Sequence, residues 1–185
     1  MTKLGWFVVV LALVVVSFST GYMMHGKRSV MSRAIGNSEV SVLFSPKGGC
    51  ADAIIAEISK AKKSIRVQAY SFTSDPIEAA LVQAHIRGVK VTVIVDRSQA
   101  AGALGAAAGP LHEQGIEVLV DAKHAIAHNK VMIVDDEVVI TGSYNFTKQA
   151  EIGNAENLLI IRDAALALKY AENWHGHAAH SEKFK

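Results

Sequence analysis

The sequence predicts a single α/β domain, a sheet sandwiched between helices, preceded by a separate apolar segment. Three observations carry this expectation. Short runs of β-branched residues alternate with stretches of helical periodicity in the order β, α, β. Gly, Pro and Asp punctuate the boundaries between them. With the apolar N-terminus set aside, about 150 of the 185 residues remain, enough for one core and too few for two.

Taken in order, residues 40–44 read as a strand. Residues 51–62 read as a helix, because Ile54, Ile55, Ile58 and Ala61 share one side, and 65–71 as the next strand. A second helix fits 76–87: Asp75 is a candidate cap, Pro76 takes the first position, and Gly88 follows the end. It leads into an apolar strand at 89–95. Residues 98–109 are rich in Ala and Gly and fit either a loose helix or a mobile loop; 111–114 then leads to a strand at 116–120. The runs KVMIV at 130–134 and VVIT at 138–141, joined through Asp135, Asp136 and Glu137, read as a hairpin. An apolar run at 158–161 and a closing helix at 164–174 follow, and residues 176–185 turn polar and are expected to fray.

The N-terminus has a different character. Residues 4–18 are almost wholly apolar behind Lys3, and the apolar character extends to Met24. The 21 residues from Leu4 to Met24 suffice to cross a bilayer. Ser17 and Ser19 offer small residues at a cleavage-compatible spacing, without an A-x-A site. Lys27, Arg28 and Arg33 lie just beyond, where positive charge hinders translocation. Residues 1–28 are therefore a signal peptide or a membrane anchor. An exported domain, periplasmic or secreted, is the leading expectation, and anchoring through residues 4–24 the alternative. The net charge of +2 is mild and marks no nucleic-acid binder by itself, the densest basic group being Lys60, Lys62, Lys63 and Arg66. Cys50, the single cysteine, allows no intrachain disulfide.

The chemistry concentrates in one 18-residue window. His128, Lys130 and Asp135 stand as H-x-K-x4-D, and Gly142, Ser143 and Asn145 follow as G-S-x-N. Three fixed residues match by chance at roughly one position in ten thousand, and six far less often. Side chains alternate along a strand, so His128 and Lys130 project together, as do Ser143 and Asn145. An imidazole can attack phosphorus, an ammonium can hold the non-bridging oxygens, and Ser and Asn can donate hydrogen bonds as charge develops, with no metal chemically required. Asp135 is different: five residues along a strand from Lys130 is about 16 Å at ~3.3 Å per residue, too far to share one phosphate. It reads as structural or supporting.

With these residues the chain resembles the phospholipase D superfamily, most closely its small single-motif bacterial endonucleases. The likeness extends through Ala69-Tyr70-Ser71-Phe72-Thr73, Asn145-Phe146-Thr147-Lys148 and Asn154-Ala155-Glu156-Asn157, over most of residues 40–175. It implies a mixed β-sheet flanked by helices, a catalytic domain over 38–178 with a polar tail at 179–185, and a covalent phosphohistidine on His128. It implies catalytic parts for Lys130 and for Glu156, the latter supporting the histidine. Lys130, Ser143 and Asn145 would bind the substrate phosphate, Asp135 and Gly142 would shape the motif, and no cofactor or metal is implied.

Larger members carry the motif twice, one histidine attacking and the other protonating the leaving oxygen. Here the nearest second match, His25-Gly26-Lys27, has Ser32 where aspartate should fall and no trailing G-S-x-N, and it is rejected. The economical solution is a homodimer whose twofold axis passes near His128 of each subunit. One imidazole must then be neutral and the other protonated, which implies a bell-shaped rate profile against pH. The expected substrate is DNA, or RNA, cut with little sequence preference; a lipid phosphodiesterase is the alternative, with membrane contact if the N-terminal segment is uncleaved. A catalytically silent nucleic-acid or membrane-binding module is the third reading. His175, His177 and His180 are set aside as a metal set for want of Cys or carboxylate partners, and His124 as a surface-loop residue. The N-glycosylation pattern at Asn145 is treated as accidental, since a phosphate-contacting side chain cannot also carry a glycan.

Overall fold

Strands rich in Val and Ile on both faces must be covered on both sides, and the chain supplies a helical layer to each. The computed structural model describes residues 31–35, 38–100 and 108–185; the apolar segment at 4–24 and residues 101–107 of the Ala/Gly-rich stretch lie outside the described residues. In chain order the elements are β1 (Met31–Ile35), β2 (Ser38–Ser45), α1 (Cys50–Lys60), β3 (Ser64–Ala69), α2 (Asp75–Ile86), β4 (Lys90–Asp96) and a 3₁₀ turn (Arg97–Gln99). They continue with α3 (Ala108–Glu113), β5 (Glu117–Asp121), β6 (Lys130–Val134), β7 (Val138–Gly142), α4 (Lys148–Ile152), β8 (Glu156–Arg162), α5 (Ala164–Ala178) and β9 (Glu182–Lys183).

The strands form one mixed sheet in the order β1-β2-β8-β7-β6-β3-β4-β5-β9. β3, β4 and β5 are parallel and joined by α2 and α3, as βαβ connection requires. β6 then enters antiparallel to β3, and the sheet continues antiparallel through β7, β8, β2 and β1. The mixed sheet flanked by helices is thus the fold observed. Helices α1, α2 and α3 bury Ile54, Ile58, Ile77, Leu81 and Leu111 on one face. Helix α5 covers the other, packing Ala167, Ala171 and Trp174 on Ile94, Leu119, Val131, Ile133 and Val139. The Trp174 indole N–H donates to the Val67 carbonyl at 3.0 Å, so its one polar atom is satisfied in the core.

Four details differ from the sequence expectation. Ser74, not Asp75, caps α2, which moves Pro76 one position inward; proline is tolerated there because the first-turn N–H groups have no helical partner. Helix α1 starts behind Gly49 at φ 80°, and its free N–H groups are satisfied from a distance: the Glu151 carboxylate accepts from Gly49 N at 3.1 Å and Ala51 N at 3.0 Å. A short helix, α3, precedes β5 where only a lead-in was expected. The C-terminus does not fray: β9 pairs with the edge of β5, and Phe184 N donates to Val118 O at 2.9 Å.

The β6–β7 connection is a tight turn with Asp135 at φ 56° and Asp136 at φ 59°, closed by Glu137 N to Val134 O at 3.0 Å. Two consecutive positive φ values suit the twist of a hairpin, and Asp is among the residues that accept them. The Asp135 carboxylate reaches back to the start of β3 and accepts from the backbone N–H of Lys62 (2.8 Å), Lys63 (2.7 Å) and Ser64 (2.9 Å). Burial pushes this carboxyl's pKa up, but the three N–H donors and Lys63 outweigh burial and hold it below the ordinary value.

Asp135→Asn keeps a residue tolerant of positive φ and removes the charge. Urea unfolding near neutral pH should show a loss of about 1–3 kcal/mol. A depressed folded pKa gives stability that is full above the unfolded value of about 3.9 and is lost as pH falls below it, so wild type and variant should converge in acid. Equal stability at neutral pH would remove Asp135 from its structural role.

Candidate active site

Loops leaving the carboxyl ends of parallel strands are where open α/β sheets gather functional groups, and the start of β6 lies at that same edge because it runs antiparallel to β3. The segment from β5 to β6 is anchored twice before it reaches Lys130. The Asp96 carboxylate, at the end of β4, accepts from Ala127 N at 2.7 Å, and Asn129 O accepts from Tyr70 N at 2.9 Å, just beyond β3. His128 lies between these anchors with an exposed side chain.

The His128 ring rests on Tyr70, with centroids 4.5 Å apart and planes tilted by 49°. Lys130 is buried, 8% exposed, and its ammonium lies 3.2 Å from His128 Nδ1, 2.9 Å from His128 O and 5.0 Å from the Tyr70 ring centroid. An ammonium only donates, so while Lys130 is charged Nδ1 is the acceptor, and one of its three N–H groups remains for a ligand. Burial lowers the Lys130 pKa, and the Glu156 charge pulls it back up.

Gly142 is what lets β7 turn into the G-S-x-N segment. At φ 150° it brings the chain so close to β8 that a Cβ would sit 2.2 Å from the Asn157 carbonyl oxygen. That oxygen instead accepts from Ser143 N at 3.1 Å and Tyr144 N at 3.3 Å. Ser143 Oγ donates to Glu156 Oε2 at 2.6 Å and accepts from Asn157 N at 3.1 Å; Asn154 Nδ2 donates to Glu156 Oε1 at 3.0 Å. Buried Tyr144 and Phe146 pin the segment, and Phe146 O accepts from Thr73 N at 2.9 Å and Ser74 N at 3.1 Å, tying it to the chain beyond β3. Asn145 is half-buried, and its Oδ1 is buried without a hydrogen-bond partner.

Two pairs are therefore in contact, His128 with Lys130 and Ser143 with Glu156, and the Glu156 charge joins them by acting on Lys130. The support of His128 by Glu156 that the resemblance implies is not a contact here: the glutamate bonds Ser143 and Asn154, and Lys130 holds His128 Nδ1. Asp135 and its three N–H donors lie at the opposite end of β6. Tyr70 and Asp96 were given no role from sequence. Tyr70 lies in the Ala69–Thr73 stretch that carries the resemblance, and both stand at the carboxyl ends of strands in βαβ units. His124, His177 and His180, set aside from sequence, converge on the carboxylate of Asp121, the partner whose absence was the ground for rejecting a metal set.

Residues 54–177 match the family model for the cardiolipin synthase, PLD-like domain. A Rickettsia prowazekii (strain Madrid E) protein named Phospholipase D is 43% identical over 140 residues, covering 76% of this chain and 68% of the relative. The Mus musculus Mitochondrial cardiolipin hydrolase is 35% identical over 121 residues, 65% of this chain and 54% of the relative. Among solved structures, the phospholipase D family member Nuc from Salmonella typhimurium aligns with a TM-score of 0.77 at 38% identity, over 80% of this chain and 99% of that one. NucT from Helicobacter pylori aligns at 0.73 and 27% identity, over 80% of this chain and 100% of that one.

Since the Glu156 charge raises the Lys130 pKa against burial, Glu156→Gln should lower it further. A titration of the lysine Nζ resonance by NMR reads this directly, and an unchanged or higher pKa would sink the electrostatic link.

Proposed function

The chain belongs to the phospholipase D-like family, and from that premise we propose that it is an endonuclease that cleaves DNA, and RNA, with little sequence preference and without a metal at the reacting phosphate. The observation that carries the phosphodiester chemistry is an exposed imidazole held 3.2 Å from a buried ammonium. His128 attacks phosphorus as the P–O bond to the leaving oxygen breaks, and that oxygen takes a proton from a second imidazole. Water then attacks the phosphohistidine, giving its proton to that second imidazole as the P–N bond breaks. Lys130 neutralises the non-bridging oxygens, and a phosphate drawing the ammonium off Nδ1 frees the ring to shift its proton away from the attacking nitrogen.

The second imidazole is His128 of the partner subunit in a homodimer, supported by the single H-x-K-x4-D motif and by the exposure of the side chain. The apolar stretch at 4–24 supports delivery across a membrane or retention at its surface. Among the described residues, no helix is long and apolar enough to cross a membrane.

Cleavage of a phospholipid headgroup is the second reading, favoured by the names of relatives up to 45% identical, such as the Phospholipase D of Rickettsia conorii. The nuclease reading rests on the resemblance to small single-motif endonucleases and on compactness: the fold shared with Nuc and NucT is nearly all of those chains and 80% of this one.

Plasmid DNA and phosphatidylcholine vesicles, each incubated in EDTA with the full chain and with its His128→Ala variant, separate the readings. Nicking that survives EDTA and falls to background in the variant is expected, with Lys130→Ala slower by roughly 10²–10³. Lipid turnover without nicking would transfer the protein to the second reading. Activity retained by His128→Ala would overturn both.

A further inference from the structure

Two pairs of side chains that the phosphodiester chemistry does not use, Asp121 with His124 and His177 with His180, each three residues apart, meet where β5 ends. Their ligand atoms all lie within 4.8 Å of one another. Asp121 is fully buried, and its Oδ1 is oriented by the N–H groups of Lys123 at 3.1 Å and His124 at 3.4 Å. Its Oδ2 faces His177 Nδ1 at 2.8 Å, His124 Nδ1 at 2.9 Å and His180 Nε2 at 3.3 Å. The three rings crowd together, with centroids 4.8, 5.1 and 5.4 Å apart. His175, on the same helix, is not a member; it packs edge-on to Trp174.

His124 Nδ1 also lies 3.2 Å from Oδ1, and three imidazole nitrogens together with two backbone N–H groups are more donors than the carboxylate has lone pairs to receive. Charging the rings to strengthen the contacts would set like charges against one another. A divalent cation removes the conflict: each neutral ring turns a lone pair inward, and the carboxylate supplies the fourth ligand and part of the charge. Three imidazoles and a carboxylate suit zinc in tetrahedral coordination, at about 2.0–2.2 Å from each ligand, and four protein ligands close the site to substrate. Ligands at that distance from one tetrahedral ion lie about 3.3–3.6 Å apart, so the oxygen–nitrogen approaches of 2.8 and 2.9 Å open slightly and the wider separations, up to 4.8 Å, close.

We propose that Asp121, His124, His177 and His180 bind one zinc ion that fastens the C-terminal end of the chain to the segment carrying His128. The ligands come from the end of β5, the β5–β6 segment, the end of α5 and the turn before β9. β9 has two residues paired to an edge strand, too few to hold by themselves. The zinc ion cross-links this short strand at its entry. Through His124 it also fixes the start of the segment whose far end presents His128. The ion takes no part at phosphorus, so EDTA should lower thermal stability while leaving cleavage at temperatures below the new melting point.

The test uses the full-length chain without a histidine tag, stripped with EDTA and titrated with zinc or cobalt. Expected are one zinc per chain by elemental analysis, the visible absorption of tetrahedral cobalt, and a melting temperature raised by roughly 5–10 °C at a hundredfold excess of zinc over the dissociation constant. His177→Ala and His180→Gln should each lose the cobalt spectrum and the thermal shift, while His175→Ala keeps both. Circular dichroism of the stripped variants shows whether they fold. If His177→Ala does not, His180→Gln and the wild-type cobalt spectrum decide. Folded wild type that takes up no stoichiometric zinc and gives no tetrahedral cobalt spectrum would overturn the site, as would a spectrum unchanged in His180→Gln.

Discussion

The carboxylate of Asp135 gathers three backbone N–H groups at the start of β3, and the rest of the site depends on the register this holds. It belongs to the turn between β6 and β7, so it ties one end of the hairpin to β3 while Asp135 N donates to Ser64 O at 2.9 Å. From there β6 pairs residue by residue along β3, Ile65 with Val134 through Ala69 with Lys130. At the far end this places Tyr70 against Asn129 and the His128 ring on Tyr70. A slip of one residue would turn Lys130 to the α5 face and Val131 to the face it now occupies. The most distant residue of the motif therefore sets the alignment on which its chemistry rests.

The same geometry explains why the site lies at this edge. β3 has a parallel neighbour on one side and an antiparallel neighbour on the other, so the carboxyl ends of β3, β4 and β5 coincide with the beginning of β6. Each parallel strand contributes there: Tyr70 follows β3, Asp96 ends β4 and holds Ala127, and Asp121 ends β5 and holds His124. Burial drives the Asp96 carboxyl upward, but Ser98 and Ala127 hold it below the ordinary value, so its charge on the loop, like that of Asp135 on the hairpin, is kept to lower pH than in a free carboxyl.

What was legible in the sequence was local. The hairpin, the βαβ order and the pairing of His128 with Lys130 follow from periodicities that act within a few residues, and the separation of Asp135 follows from strand rise alone. What was not legible depends on closure of the sheet. The capping of α1 by Glu151 joins residues about a hundred apart, and β9 finds β5 only after α5 has crossed the sheet. Glu156 was assigned to His128 by resemblance, whereas the pairing of β8 with β7 puts it beside Ser143. Each i,i+3 pair around Asp121 is local, but nothing local says that the two meet: His124 bonds Asp121 three residues before it, and the other two histidines on that carboxylate come from the end of α5 and the turn after it.

The resulting division of labour bears on substrate choice. At phosphorus, a nucleic acid and a lipid headgroup offer the same diester, and the proposed mechanism treats them alike. On that proposal discrimination comes from the surfaces that receive the rest of the substrate, the rim of the His128 segment first among them. Ile126, 58% exposed two residues before His128, is the largest apolar contribution to that rim from its own segment. A branched aliphatic side chain serves equally to seat an acyl chain, to lie against a base or to pack on a partner subunit. Lys123 is exposed on the same segment, whereas Lys130 is buried with its ammonium 3.2 Å from His128 Nδ1. On the nuclease reading proposed above, Lys123 lies along the polyanionic backbone beside Ile126; on the lipid reading the same two side chains meet a headgroup and an acyl chain.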